Sequence, residues 1–521
     1  MSTPSVQATR PRLGDRLLDA IERAGNRLPD PFSLFLILFG AVAALSSVMA
    51  ALGLSVTLPG EDAATPIKGF FSAEGVTWLT TTMVDNFIGF PPLGVVLTML
   101  LAVGIAQRTG LLTALVRRAF GNAPRWLLPY VVAFTALCAH IMSDASMIVV
   151  PPLAALVFKA AGRHPVAGLL GAYATATAAF SCTPFVTSTD ALLAGISNAA
   201  ADPVADMTTH VTPVSNLFVS LSCAALLTLG AGLLIDKVLE PRIARLGISR
   251  DEAADDTGAA VPAMSTELTT AERSGLRWAG SALLVTVAAV LALTLPAGAP
   301  MRNEDGAFLP ESPLLSSVVF LVFLVLVVPA VAYGVRVRTI TGSESVSRMM
   351  GDSVKDMAGF LVVAFVLSQF LALFNWSGMS SWIAVQGASL LERAHFTGYG
   401  AIVAFIVAVS LLNFLVTSGS SLWTLIAAVF VPMFALIGYE PGFIQAAFRV
   451  GDSATQALTP LNPYLVIILG YLRKYEPGAG IGTIVARMLP FSVVFWVLWV
   501  GVLTVFFFTG APIGPGMGIR L

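Results

Sequence analysis

Residues 440–464 read EPGFIQAAFRVGDSATQALTPLNPY. The stretch is too apolar for a surface loop and too interrupted for an ordinary membrane helix. Arg449 and Asp452 stand inside it, and a Thr459-Pro460 step follows. Proline removes a backbone donor and disfavours helix at the residue before it. The run therefore predicts a helix from Pro441 that breaks at Thr459-Pro460 and resumes toward residue 471. In hydrocarbon, each unpaired amide or carbonyl at such a break costs on the order of several kcal/mol. The break persists only where protein, water or a ligand satisfies it.

Outward from this stretch the chain is hydrocarbon-like. Of 521 residues, 56% are hydrophobic and 11% are charged. A soluble domain carries about 25% charged residues, and here the deficit runs the whole length. The chain reads as an all-α polytopic membrane protein. A net charge of −1 argues against a nucleic-acid partner. Cys138, Cys182 and Cys223 lie in apolar runs without metal-ligand spacing and read as small buried hydrophobes. No nucleophile elbow, metal-binding histidine pair or phosphate loop points to an enzyme, and no cofactor is expected.

Apolar runs of about 20 residues mark spans at about 31–53, 91–107, 212–235, 276–297, 313–335, 357–376 and 484–509. Residues 126–161, 164–198 and 401–471 are apolar but interrupted. Loop charges give sidedness. Arg10, Arg12, Arg16, Arg23 and Arg27 place the N-terminus in the cytoplasm, and the acidic loop 54–90 lies outside. Residues 126–161 start and end beside cytoplasmic arginines and lysine, so they predict a re-entrant hairpin with its tip at Ser143-Asp144-Ala145-Ser146. Residues 401–437 predict a second hairpin, entering from outside, with its tip at 417–421. The count is nine spans, two of them broken, plus two opposed hairpins.

The organisation expected is as follows. Residues 1–30 hold a cytoplasmic amphipathic helix rather than a cleavable signal, and 31–120 are scaffold helices. Residues 126–198 form a first hairpin and broken helix. Residues 212–376 are scaffold or dimerisation helices with a cytoplasmic linker at 237–275. Residues 401–471 form a second hairpin and broken helix, and 484–509 the last span. The two copies share a pattern: His164-Pro165 precedes Thr183-Pro184, as Glu440-Pro441 precedes Thr459-Pro460. Inverted repeats of this kind are a transporter architecture.

Four ionisable residues stand inside these segments: Asp144, Asp190, Arg449 and Asp452. An intramembrane charge costs about 2.5–3.5 kcal/mol by insertion scales, which makes a functional site the default reading. Arg449 and Asp452, three apart on one helix face, could equally neutralise each other. Ser143, Asn413, Ser418, Ser420 and Asn462 offer oxygens suited to a small cation, or back-bond to the preceding turn. Trp423, well inside its segment, is an anchor or a stacking surface for an aromatic solute. His140, near the first tip, is structural or handles a proton.

The runs TSGSSLWTLIAAVFVPMF at 417–434 and 440–464, with SDASMIVVPP at 143–152 and RLPDPF at 27–32, resemble the AbgT family, the p-aminobenzoyl-glutamate transporters. The resemblance spans about residues 27–509. It implies a homodimer in the bacterial inner membrane whose subunits have nine spans and two opposed hairpins. It also implies import of p-aminobenzoyl-glutamate or export of sulfonamide antimetabolites. Positions matching the family's functional residues are Asp190, Ser420, Trp423, Pro441, Arg449, Asp452 and Pro460. A carboxylate or sulfonamide would then face Arg449. Asp452 and Asp190, with Asn413, Ser143, Asp144 and Asn462, would hold a coupling Na⁺ or H⁺. The residues leave the choice of ion and the direction of transport open. They also leave room for another organic-anion carrier, such as a dicarboxylate transporter, or a passive channel.

Overall fold

The computed structural model describes residues 29–58, 63–121, 123–143, 145–250, 267–308, 312–416, 418–459 and 462–521. Residues 1–28 of the amphipathic segment expected at 1–30, residues 251–266 of the linker expected at 237–275, Asp144 and Pro460 lie outside them. Among the described residues, eight helices are long and apolar enough to cross a membrane, and shorter apolar helices accompany them.

The first membrane helix, Pro31–Ala51, shows how the chain punctuates itself. Asp30 caps it by accepting from the amides of Phe32 and Ser33, and Pro31 occupies its first position. Proline there sacrifices an amide that would have no helical partner anyway. The other long helices, Pro91–Arg108, Leu217–Leu233, Thr270–Ala292, Val318–Val337, Ala358–Trp376 and Ile481–Thr509, follow the expected spans.

The interrupted regions resolve into shorter helices, two in each of the first two and four in the third. The first hairpin has arms Leu128–Cys138 and Ala145–Ala160, and the second has arms Tyr399–Leu412 and Gly419–Leu436. The first broken helix comprises Pro165–Ala178 and Ser188–Ala201, and the second Pro441–Thr455 and Pro463–Arg473. Each hairpin packs on its own broken helix. The copies also interlock: Gly419–Leu436 lies along Ser188–Ala201, and Ala145–Ala160 touches Pro463–Arg473. All residues of Pro165–Ala178 are buried. A helix with no exposed face belongs at the centre of a protein block rather than against lipid. Its approach to the hairpin arm depends on Gly168, where a methyl group would sit 2.6 Å from the Ala154 carbonyl oxygen.

The core divides. One cluster joins the repeat helices to the last helix through Leu170, Tyr173, Phe443 and Phe495. A second, with Phe35, Val42, Phe370 and Phe374, joins Pro31–Ala51 to Ala358–Trp376.

Several expectations need correction. Residues 54–90 are not simply a loop, because Ala73–Ile88 is a helix. Its polarity misleads: the hydroxyls of Thr80, Thr81 and Thr82 donate to carbonyls one turn back, so the helix satisfies them itself. Leu111–Phe120, Ser343–Asp356 and Met379–Arg393 are further helices between the expected spans. The linker begins later than residue 237, since the preceding span continues helically to Arg245. A further charge also lies within a span. Arg487, in the first turns of the last helix, is buried and donates to Glu476 at 3.0 Å.

Candidate functional site

The two helix breaks and the second hairpin tip bring the predicted charges together, in a pairing the sequence spacing did not suggest. The second half of the first broken helix starts with a capping box. Asp190 Oδ2 accepts from the amide and the hydroxyl of Thr187, each at 2.7 Å, and the Thr187 hydroxyl accepts from the Asp190 amide. That cap fixes the carboxylate and turns its other oxygen outward. Asp190 Oδ1 accepts from Arg449 Nη1 at 2.6 Å, joining the two copies. The expected Arg449–Asp452 neutralisation does not form. The arginine reaches across 259 positions instead of three along its own helix.

Asp452 is therefore left without a cationic partner among the described residues. It is 1% exposed, its Oδ1 has no hydrogen-bond partner among the described residues, and Oδ2 has only the Ser453 hydroxyl at 3.5 Å. With every group ionised, one guanidinium faces two carboxylates, and a buried excess negative charge is costly unless a cation or proton joins it. The Asp452 carboxylate lies against the start of Gly419–Leu436. A methyl group on Gly419 would meet Asp452 Oδ2 at 2.9 Å and the Phe180 ring at 2.5 Å. A helix N-terminus favours negative charge, so the hairpin tip stabilises this carboxylate in part. Glycine is what permits the approach.

Asn413 sits beside Asp452. Its Nδ2 donates to the Asp452 carbonyl at 2.7 Å and to the Thr455 hydroxyl at 2.9 Å, while its buried Oδ1 has no partner among the described residues. Ser418 caps the hairpin arm, its hydroxyl 2.9 Å from that of Ser421, with the Ser420 hydroxyl at 3.4 Å. Pro441 starts the helix that carries Arg449 and Asp452.

Two expected cation ligands are placed differently. Ser143 contacts Ser188 at 3.4 Å, at the first hairpin tip, with a left-handed backbone (φ 50°). The Asn462 oxygen is occupied in capping, accepting from the Tyr464 amide at 3.0 Å. His140 contacts the Thr189 hydroxyl at 3.4 Å and meets the Phe180 ring edge-on.

Trp423 is also placed differently from a stacking surface open to solute. It is fully buried, and Phe448 packs on its ring at 4.7 Å. Its Nε1 donates to the Ser197 hydroxyl at 3.2 Å and the Leu193 carbonyl at 3.3 Å. Ser197 also accepts from Gln445 and donates to Leu193, so it joins both copies. Gln445 in turn accepts from Asn216. Sequence reasoning missed this network, although Gln445, Arg449 and Asp452 recur at helical spacing on one face.

A cavity of about 1530 Å³ lies beside these residues, between the first hairpin and the helices after residue 267, and reaches Phe185 and Val186. Among the described residues, no group of three or more His, Cys, Asp or Glu side chains forms a metal site.

Against known proteins, residues 16–521 match the model of the "AbgT putative transporter family". The p-aminobenzoyl-glutamate transport protein of Escherichia coli K12 is 36% identical over 97% of both chains. Among solved structures, the Alcanivorax borkumensis YdaH transporter, described as having an unusual topology, superposes with a TM-score of 0.87. It is 35% identical, with 94% of this chain and all of that one covered. Neisseria gonorrhoeae MtrF, one of a class of antimetabolite efflux pumps, superposes with a TM-score of 0.86 at 34% identity. There 96% of this chain and all of that one are covered. The chain is a multi-pass membrane transporter and not an enzyme, and it belongs to the AbgT family.

Proposed function

We propose that this protein is a cation-coupled secondary transporter of p-aminobenzoyl-glutamate and related p-aminobenzoyl compounds, with sulfonamide antimetabolites among its exported solutes. The observation that carries the reading is the charge set itself: Arg449 held by Asp190, with Asp452 buried beside it without a cation. Arg449 can exchange Asp190 for a substrate carboxylate, because guanidinium recognises any carboxylate in the same geometry. Its Nε has no partner among the described residues and adds a further donor. Asp452, with the Asn413 carbonyl oxygen, would receive the Na⁺ or H⁺ that offsets the excess charge. In the proposed cycle the two hairpins and two broken helices move as one transport block against the scaffold of a homodimer. The hairpins re-enter from opposite sides of the inner membrane, and the N-terminus is cytoplasmic.

Flux into proteoliposomes tests this reading, with p-aminobenzoyl-glutamate and a sulfonamide as solutes and Na⁺ and pH gradients imposed separately. Accumulation above equilibrium under one gradient is expected. Equilibration at a rate indifferent to both gradients would make the protein a passive pore. The burial of Trp423 favours a second reading, a carrier of aliphatic dicarboxylates that needs no aromatic stack. Competition by succinate as strong as by p-aminobenzoate would select it.

A further inference from the structure

The 1530 Å³ cavity is walled by the Leu128–Cys138 arm, the short helix Leu111–Phe120 and the antiparallel pair Thr270–Ala292 and Val318–Val337. Its depth is hydrocarbon, with Leu112, Phe134, Met142, Leu283, Leu321 and Leu326 on its walls. Its charges are different in kind and place. Arg117, Arg118, Arg273 and Arg277 line it against one acid, Glu267. These arginines share one end of the cavity, because Arg117 is tied at 3.1 Å to Glu272, the neighbour of Arg273. Arg273 and Arg277 are exposed and make no ion pair among the described residues. Trp278, next to Arg277, is 56% exposed, as an aromatic at a membrane–water boundary would be.

From this basic end the apolar track continues. Leu321 also lines a second pocket, of about 260 Å³, which reaches Val290 and Leu293. Arg277 and Val290 are about 20 Å apart along one helix axis. The main cavity alone exceeds the ~300–1,000 Å³ of a site for a drug-sized solute. A soluble dianion would need polar partners throughout such a depth, whereas here charge sits at one end and hydrocarbon at the other.

We propose that this cavity is a binding site for an anionic phospholipid, its phosphate held by Arg273 and Arg277 and its acyl chains along Leu283, Leu321 and Val290. Arg449 and Asp452 do not line it, although the cavity reaches Phe185 and Val186, just before the Thr187–Asp190 cap. A lipid there wedges the first hairpin against the neighbouring helix pair.

Native mass spectrometry of the full chain in neutral detergent tests it, with phosphatidylglycerol and phosphatidylcholine of equal chain length as probes. Phosphatidylglycerol is expected to be retained in excess. Arg273→Gln and Arg277→Gln should each lower that excess about fivefold. Gly280 lines the cavity, and a Cβ there would meet nothing within 4 Å. Gly280→Phe should therefore displace both lipids with the melting temperature in detergent unchanged. Equal retention of the two lipids, or retention untouched by all three variants, would overturn the proposal. So would retention of glycerol phosphate as strong as that of the lipid, which would indicate a free-phosphate site. Displacement of the lipid by p-aminobenzoyl-glutamate would make the cavity a solute path instead.

Discussion

The two copies of the repeat share a plan and differ in what they do with a carboxylate. In the first copy Asp190 has a full set of partners: the Thr187 amide, the Thr187 hydroxyl and Arg449. In the second, Asp452 is deeper, 1% exposed against 8%, and has a single weak hydroxyl contact among the described residues. One carboxylate is held by its own cap and by Arg449, and the other is stabilised by a nearby helix N-terminus and has no counter-charge among the described residues. The lesson is that burial alone does not mark the responsive group. What marks it is burial with hydrogen-bonding capacity unspent.

The largest expected effects break this contrast directly. Arg449→Ala strands Asp190, and removing one partner of a buried pair costs about 3–5 kcal/mol. Thermal unfolding in detergent should show that loss together with loss of flux. Asp190→Asn is expected to destabilise in the same direction. Asp452→Asn should do the opposite to stability, leaving it unchanged or raised, because it removes a buried charge that has no cation. Equal destabilisation by the two aspartate variants would remove the distinction between the copies.

A smaller effect is expected at the contact between hairpin tip and carboxylate. Gly419→Ala forces a methyl group against Phe180 and Asp452, an overpacking cost of about 1–3 kcal/mol. Flux should fall further than stability does, since the approach of tip to carboxylate is lost. Trp423→Phe keeps the ring and removes the Nε1 donor to Ser197 and Leu193. It should cost roughly 1–3 kcal/mol, read as a lower unfolding temperature. A raised half-saturation constant at unchanged stability would instead mean that the indole faces solute. The smallest effect is a control: Arg348→Ala breaks an exposed pair with Glu344, worth about 0.3–0.5 kcal/mol, and flux should be unaltered.

Much of the architecture was legible because membrane physics restricts backbone so strictly. Thr183-Pro184 and Thr459-Pro460 cannot continue a helix, and structure breaks near both. Interruption by Pro, Gly, Ser and Asp set 126–161, 164–198 and 401–471 apart from the plain spans, and most of the helices there are indeed shorter. The helix at 73–88 was not legible, since its threonines look like loop polarity until their hydroxyls are seen to bond one turn back. At the site, sequence singled out Asp190, Arg449 and Asp452, but the one pairing it offered, Arg449 with Asp452, is not the one that forms. Spacing of three along a helix is visible in a sequence, whereas a partner 259 positions away is not. The burial of Trp423 was hidden for the same reason, because its cover comes from Phe448 and its hydrogen bonds from Leu193 and Ser197.

The central claim is that Asp452 couples solute to a cation. Proteoliposomes holding wild type or Asp452→Asn, matched for folded protein, can be loaded with p-aminobenzoyl-glutamate under a Na⁺ gradient and, separately, a pH gradient. Wild type should accumulate solute above equilibrium under one of the two. Asp452→Asn should not exceed equilibrium under either, and wild-type accumulation by this variant would contradict the account.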